Sequence, residues 1–125
     1  MKIDLPVLKQ DIVNNELVST ESTIVLDIDT SVYSEERWEQ NFPELAKREG
    51  LFQYIERIRD AQTTDRVRVA CMLKAIYCFV ESAAIRSYKE FAQMFNLATP
   101  EYTGRLISSL IQAFKLIIGS SSVKN

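Results

Sequence analysis

The sequence predicts an α+β fold, predominantly α-helical: a small N-terminal β element followed by a bundle of four to six helices. Three observations predict it. Residues 1–33 alternate apolar and polar side chains, the period of strands with one covered face. From residue 34 onward, apolar residues recur at the three- and four-residue spacing of a helix. Caps and breakers such as Ser34, Pro43, Gly50, Thr64, Ser87 and Pro100 divide that second part into helix-sized pieces. At 125 residues the expectation is one domain over 1–119, β or extended over 1–33 and helical over 34–119, with 120–125 as a frayed tail.

In the first strand Ile3, Leu5 and Val7 alternate with Lys2, Asp4 and Pro6. Pro6 has no N–H to donate, so this strand belongs at a sheet edge. In the second, Ile24, Leu26, Ile28 and Val32 alternate with Val25, Asp27 and Asp29. The stretch around Asn14-Asn15-Glu16 can turn the hairpin between them. Ser34 is the expected N-cap of the first helix, with Glu35 and Glu36 at the positive end of its dipole. Trp38 and Phe42 follow one turn apart, and Pro43 ends that helix or starts the next. Beyond a bend at Gly50, Leu51, Phe52, Ile55 and Ile58 make an apolar stripe.

Thr63-Thr64-Asp65 offers a cap for a helix over 65–83. Val67, Val69, Ala70, Met72, Leu73, Ile76, Phe79 and Val80 make it apolar on much of its circumference, which places it centrally. Ser87 and Glu90 have the spacing of a capping box and open a short helix through Phe91, Ala92 and Phe95. Thr99-Pro100 starts the last helix, which carries Leu106, Ile107, Leu110, Ile111, Phe114, Ile117 and Ile118. Gly119 is its expected end, before Ser120-Ser121-Ser122.

Composition excludes several chemistries. The net charge is −2 and the pI about 5.2, which gives no global attraction to nucleic acid or an anionic membrane. No apolar run approaches the ~20 residues a spanning helix needs, and residues 1–15 are too polar for a signal peptide; the expected location is cytosolic. The sequence has no histidine, so Ser–His and Cys–His pairs and imidazole zinc sites are excluded. Cys71 and Cys78 fall on one helix, their Cα atoms ~10.5 Å apart at ~1.5 Å per residue, beyond the ~7 Å reach of a disulfide.

Two stretches carry a chemical or recognition pattern. Ile24-Val25-Leu26-Asp27-Ile28-Asp29-Thr30 matches the D-x-D-T opening of a haloacid-dehalogenase-type phosphotransferase, with Asp27 as nucleophile and Asp29 as general acid around magnesium. That chemistry needs parallel strands alternating with helices, whereas here helices alone follow. The simpler reading puts Ile24, Leu26 and Ile28 in the core and the two carboxylates in water. Residues 87–115 have the spacing of a DNA-binding helix-turn-helix. Yet Arg105 is the only cation on its second helix before Lys115, with Glu101 near the start. Recognition helices present Arg, Lys, Asn or Gln to base edges, so this DNA-binding regulator is the alternative reading.

Aromatic residues are abundant by contrast. Tyr54, Tyr77, Tyr88 and Tyr102 are amphipathic and suit half-wet contacts. The helical part is expected to have more apolar surface than it can bury, and such a patch marks a partner surface. The expected groove residues are Trp38, Phe42, Tyr54, Tyr88, Phe95 and Tyr102, binding an amphipathic helix, a second copy, or both.

The wording adds to the pattern. Tyr33-Ser34-Glu35-Glu36-Arg37-Trp38-Glu39-Gln40-Asn41-Phe42-Pro43, Gly50 to Ile58 (GLFQYIERI) and Ala75-Ile76-Tyr77-Cys78-Phe79 resemble segments of small late proteins of siphophages infecting lactococci and related hosts. The opening MKIDLPV and the closing SSSVKN do too. Over nearly the whole chain the resemblance is to the tail assembly chaperones, most closely those of lactococcal p2-type phages. Such a resemblance implies a protein that is not an enzyme, holds no cofactor or metal, and is absent from the finished virion. Acting in the host cytoplasm as a homo-oligomer, it would cover hydrophobic and aromatic helical repeats of the tape measure protein until tail tube subunits replace it. The tail tube protein is a further expected partner, and no nucleic acid or membrane is implied.

Overall fold

The computed structural model describes residues 1–82 and 84–121, without the side chains of Ser120 and Ser121. The chain starts with β1 (Lys2–Val13) and β2 (Glu16–Asp27), which pair antiparallel into a two-stranded sheet. Six helices follow among the described residues: α1 (Tyr33–Asn41), α2 (Pro43–Ala46), α3 (Leu51–Arg59), α4 (Asp65–Tyr77), α5 (Tyr88–Ala92) and α6 (Pro100–Ser121). The architecture is α+β, a hairpin and then helices, as expected.

Asn14 and Asn15 turn the hairpin with φ of 53° and 63°. Two consecutive left-handed residues make a type I′ turn, which asparagine tolerates and whose twist matches the strands it joins. The turn fixes the register, with Val13 opposite Glu16, Leu8 opposite Glu21 and Lys2 opposite Asp27. In such a hairpin the closing pair is hydrogen-bonded and the pattern then alternates. Ile28 N–H donating to Met1 O at 2.8 Å extends that alternation to the root of the sheet. Even residues of β2 therefore bond inward to β1, and odd ones aim N–H and C=O outward. Pro6 occupies an outward position of β1, where its missing N–H leaves the ladder intact.

The hairpin is buried only at its root. Ile3, Leu5, Leu8 and Leu26 are in the core, whereas every residue from Asp11 to Thr20 is exposed. The strands are thus longer than the body is wide. Beyond Leu8 they form an arm about 17 Å long, five residues at ~3.4 Å each.

The helical starts follow local chemistry in part. Thr64 Oγ1 accepts from Val67 N–H at 3.4 Å and Ser87 Oγ from Glu90 N–H at 3.1 Å. Thr99 Oγ1 accepts from Tyr102 N–H at 3.2 Å, with Pro100 at the first helical position. Three expectations need correction. Val32, not Ser34, caps α1; Ser34 is buried and its hydroxyl donates to Ser31 O at 2.8 Å. At the 87–90 box, Glu90 accepts from Arg86 N–H at 3.0 Å rather than from its cap residue, so only half of the reciprocal pair forms. Gly119 does not end α6, which continues to Ser121. The tail expected over 120–125 lies from residue 122 onward outside the described residues.

α4 is the centre of the helical part, packed on α3, α5 and α6. Val69, Met72, Leu73, Ala75, Ile76 and Tyr77 are buried on it, whereas Val67 is half exposed in its first turn. The helix stops at Tyr77 rather than running to 83, because the next residues pair with the end of β2. Phe79 O accepts from Asp29 N–H and Glu81 N–H donates to Asp27 O, both at 2.8 Å, with Ile28 and Val80 forming an antiparallel bridge. α6 lies along β1 and closes the other side of the core.

Candidate functional site

The six expected groove residues form a structural interior instead. Trp38 is 1% exposed, Tyr54 2%, Phe95 7% and Tyr102 0%; only Phe42 and Tyr88 are half-buried. The indole of Trp38 donates to Glu49 O at 3.0 Å. Its ring centroid lies 4.7 Å from that of Tyr54 and 5.6 Å from that of Phe42. From Phe42 the row continues to Tyr88 at 5.2 Å, Tyr77 at 5.8 Å, Phe91 at 5.8 Å and Phe95 at 5.1 Å. Tyr102 stands apart, its hydroxyl donating to Pro6 O at 2.8 Å. Five of the six residues are thus brought together, but as a spine through the body. Rings that stack and satisfy their polar ends inside are not available to a partner. Burial raises the hydroxyl pKa of Tyr54, Tyr88 and Tyr102 above the ordinary value, as expected of rings held away from water.

The two chemical patterns resolve locally. Asp27 ends β2 and faces Lys2 at 3.9 Å. Asp29 accepts from Ser31 N–H at 2.8 Å, and hydrogen bonding to Ser31 lowers its pKa. Among the described residues no group of His, Cys, Asp or Glu is arranged to hold a metal ion. In the 87–115 stretch α5 has five residues, and Arg105 is held by Glu21, with Nη2 at 2.8 Å and Nε at 3.1 Å from one carboxylate oxygen. Cys71 and Cys78 are both free; Cys78 is buried and its thiol is pushed up to about 12. No helix among the described residues is long and apolar enough to cross a membrane.

The helices expose large hydrophobics only singly, at Tyr33, Val67 and Leu116, whereas the arm exposes a cluster. Ile12 is 76% and Leu17 65% exposed, and they oppose each other on one face near the tip. Val13 and Val18 are exposed on the other face, and Val25 lies further down β2 at 58%. Among the described residues, half of the ten exposed large hydrophobics therefore sit on this hairpin. The signal was present in Ile12-Val13-Asn14-Asn15-Glu16-Leu17-Val18, where apolar pairs flank the turn. Adjacent apolar residues on a strand point to opposite faces, and a two-stranded ribbon projecting from the body cannot cover both.

An open groove of about 790 Å³ runs between the hairpin root and α6, lined by Asp4, Pro6, Thr23, Glu101, Arg105 and Ser109 among others. Its walls mix apolar surface with carboxylates, a guanidinium and hydroxyls. No family model, curated protein or solved structure matches the chain.

Proposed function

We propose that the chain is a phage tail assembly chaperone that keeps the hydrophobic and aromatic helical repeats of a tape measure protein in solution, acting as a self-associating oligomer. In this reading it performs no chemistry and needs no cofactor. It works in the host cytoplasm and leaves before the virion is finished, displaced by tail tube protein. The helices, bundled on α4, serve as a rigid base, and the arm is the contact element. The observation that carries the reading is the projecting arm, apolar on both faces at Ile12, Val13, Leu17 and Val18. Full burial of one such side chain contributes about 1.5–3 kcal/mol. Partial cover on a helical client contributes less, so one arm holds weakly and many hold by avidity. Weak single contacts also let tube subunits replace the chaperone one at a time.

Co-expression with the tape measure protein tests this. The chain is expected to raise the soluble fraction of that protein, and the double variant Ile12→Asp/Leu17→Asp is expected to lose the effect while remaining folded. A client equally soluble with and without the chain refutes the reading.

A further inference from the structure

We infer that the outer edge of β2 is a self-complementary interface, along which two copies of this chain pair strand to strand into one four-stranded antiparallel sheet. The inference goes beyond the chaperone reading and does not depend on it.

The two edges of the hairpin are treated differently. β1 carries Lys2, Pro6 and Lys9, the residues that blunt an edge against further strands. It is also covered: Leu8 bridges to Phe95, Tyr102 donates to Pro6 O, and Asn96 donates to Gln10 at 3.0 Å. From Glu16 to Leu26, β2 contains neither lysine nor proline and is rich in Val, Thr and Ile. Among the described residues that stretch pairs with β1 alone. The outward N–H and C=O groups of Leu17, Ser19, Glu21, Thr23 and Val25 thus form a ready template for another strand.

The sequence of that edge names the occupant. Residues 17–25 read LVSTESTIV, which has the same polarity in both directions about Glu21. With Glu21 opposite Glu21 of the second copy, Leu17 meets Val25, Val18 meets Ile24, Ser19 meets Thr23 and Thr20 meets Ser22. Branched apolar pairs and hydroxyl pairs are favourable cross-strand neighbours. The register is also allowed by the backbone, because it sets odd residues, all outward-pointing, against odd residues. It stops in the right place: residues 79–81 take over β2 at Asp27, and Glu16 of the second copy falls opposite Leu26. Leu17, Val18 and Val25, exposed in the single chain, then each gain an apolar cross-strand neighbour, while the faces of the arm stay open to a client.

The central carboxylates are the one unfavourable pair, since like charges facing each other repel. Each is already held by its own Arg105 through two N–H groups, so the centre alternates in charge. Nine residues of edge make an interface at the small end of the range, below the ~1,200 Å² of stable complexes, so the dimer is expected to be weak and concentration-dependent. A two-fold interface closes at two copies, so larger assemblies need a second surface.

Sedimentation of the purified full chain across micromolar to sub-millimolar concentrations, with disulfide trapping, tests the pairing. Ser19→Pro removes an outward N–H while sparing the ladder to β1, and is expected to weaken dimerisation at least tenfold. Ser19→Ala, which also loses the bond from Gln10, is not. Arg105→Gln is expected to weaken the dimer several-fold and Glu21→Gln to tighten it. In a Cys71→Ser background, oxidised Glu21→Cys should form a linked dimer, because facing hydrogen-bonded residues have Cα atoms ~5.5 Å apart, within disulfide range. Val18→Cys should not link. A monomer at every concentration without trapping at residue 21 overturns the inference, as does a dimer indifferent to Ser19→Pro. Either result leaves the co-expression test of the client untouched.

Discussion

The helical body and the arm use apolar residues in opposite ways. The body turns most of its large rings inward, many in tilted or edge-to-face contact, with Trp38, Tyr54, Phe79, Phe91 and Tyr102 fully buried. The arm is devoid of rings and leaves isoleucine, leucine and valine in water on both faces. Ring-rich surfaces are the usual first guess for a partner site, but here the rings supply the stiffness of the base. The unspent surface is aliphatic and strand-shaped.

The largest effect that can break this contrast is at Trp38. Removing a buried indole leaves a cavity and an unpaired Glu49 carbonyl, so Trp38→Ala should cost about 3–5 kcal/mol in a denaturant titration. A cost within about 0.5 kcal/mol, the range of surface changes, would return Trp38 to the list of contact residues. Next is Tyr102→Phe, which keeps the ring and deletes the hydrogen bond to Pro6 O. A loss of about 1–2 kcal/mol is expected, since the carbonyl is left unsatisfied.

Alkaline pH gives a graded effect. Burial lifts the Cys78 thiol from 9.0 to about 12, so above pH 9 the unfolded chain releases this proton before the folded one does. Stability is therefore whole below pH 9 and falls as pH rises toward 12. Cys78→Ala should flatten part of the drop in melting temperature between pH 9 and 10, the rest of which comes from Tyr54, Tyr88 and Tyr102, whose buried hydroxyls are also raised. The smallest effect belongs to the arm: Ile12→Asp/Leu17→Asp should change stability by no more than about 0.5 kcal/mol. A larger loss would mean that the arm tip belongs to the core after all.

Much of the fold could be read from residue order because it rests on local rules. The alternation at Ile3 and Leu5, the Asn14-Asn15 turn, and the caps at Thr64, Ser87 and Thr99 act within a few residues of themselves. What escaped depends on distant partners. α4 gives up its last turn because Phe79 and Glu81 meet Asp27 and Asp29, a pairing that no window around residue 80 contains. The burial of Trp38 was hidden for the same reason, since its partners Tyr54 and Glu49 belong to other turns of the chain. The arm was missed because periodicity tells which residues share a face, but not where the body that covers them ends.

The meeting of residues 79–81 with the end of β2 also fixes an order of events during synthesis. The hairpin closes through a two-residue turn and needs nothing downstream to set its register. Its seat, however, is translated some fifty residues later, about 3–10 s at ~5–20 residues per second. For that interval the hairpin has no base beneath it, and a lone two-stranded hairpin is only marginally stable in water, so its strand edges are most open to stray pairing before the centre of the fold exists.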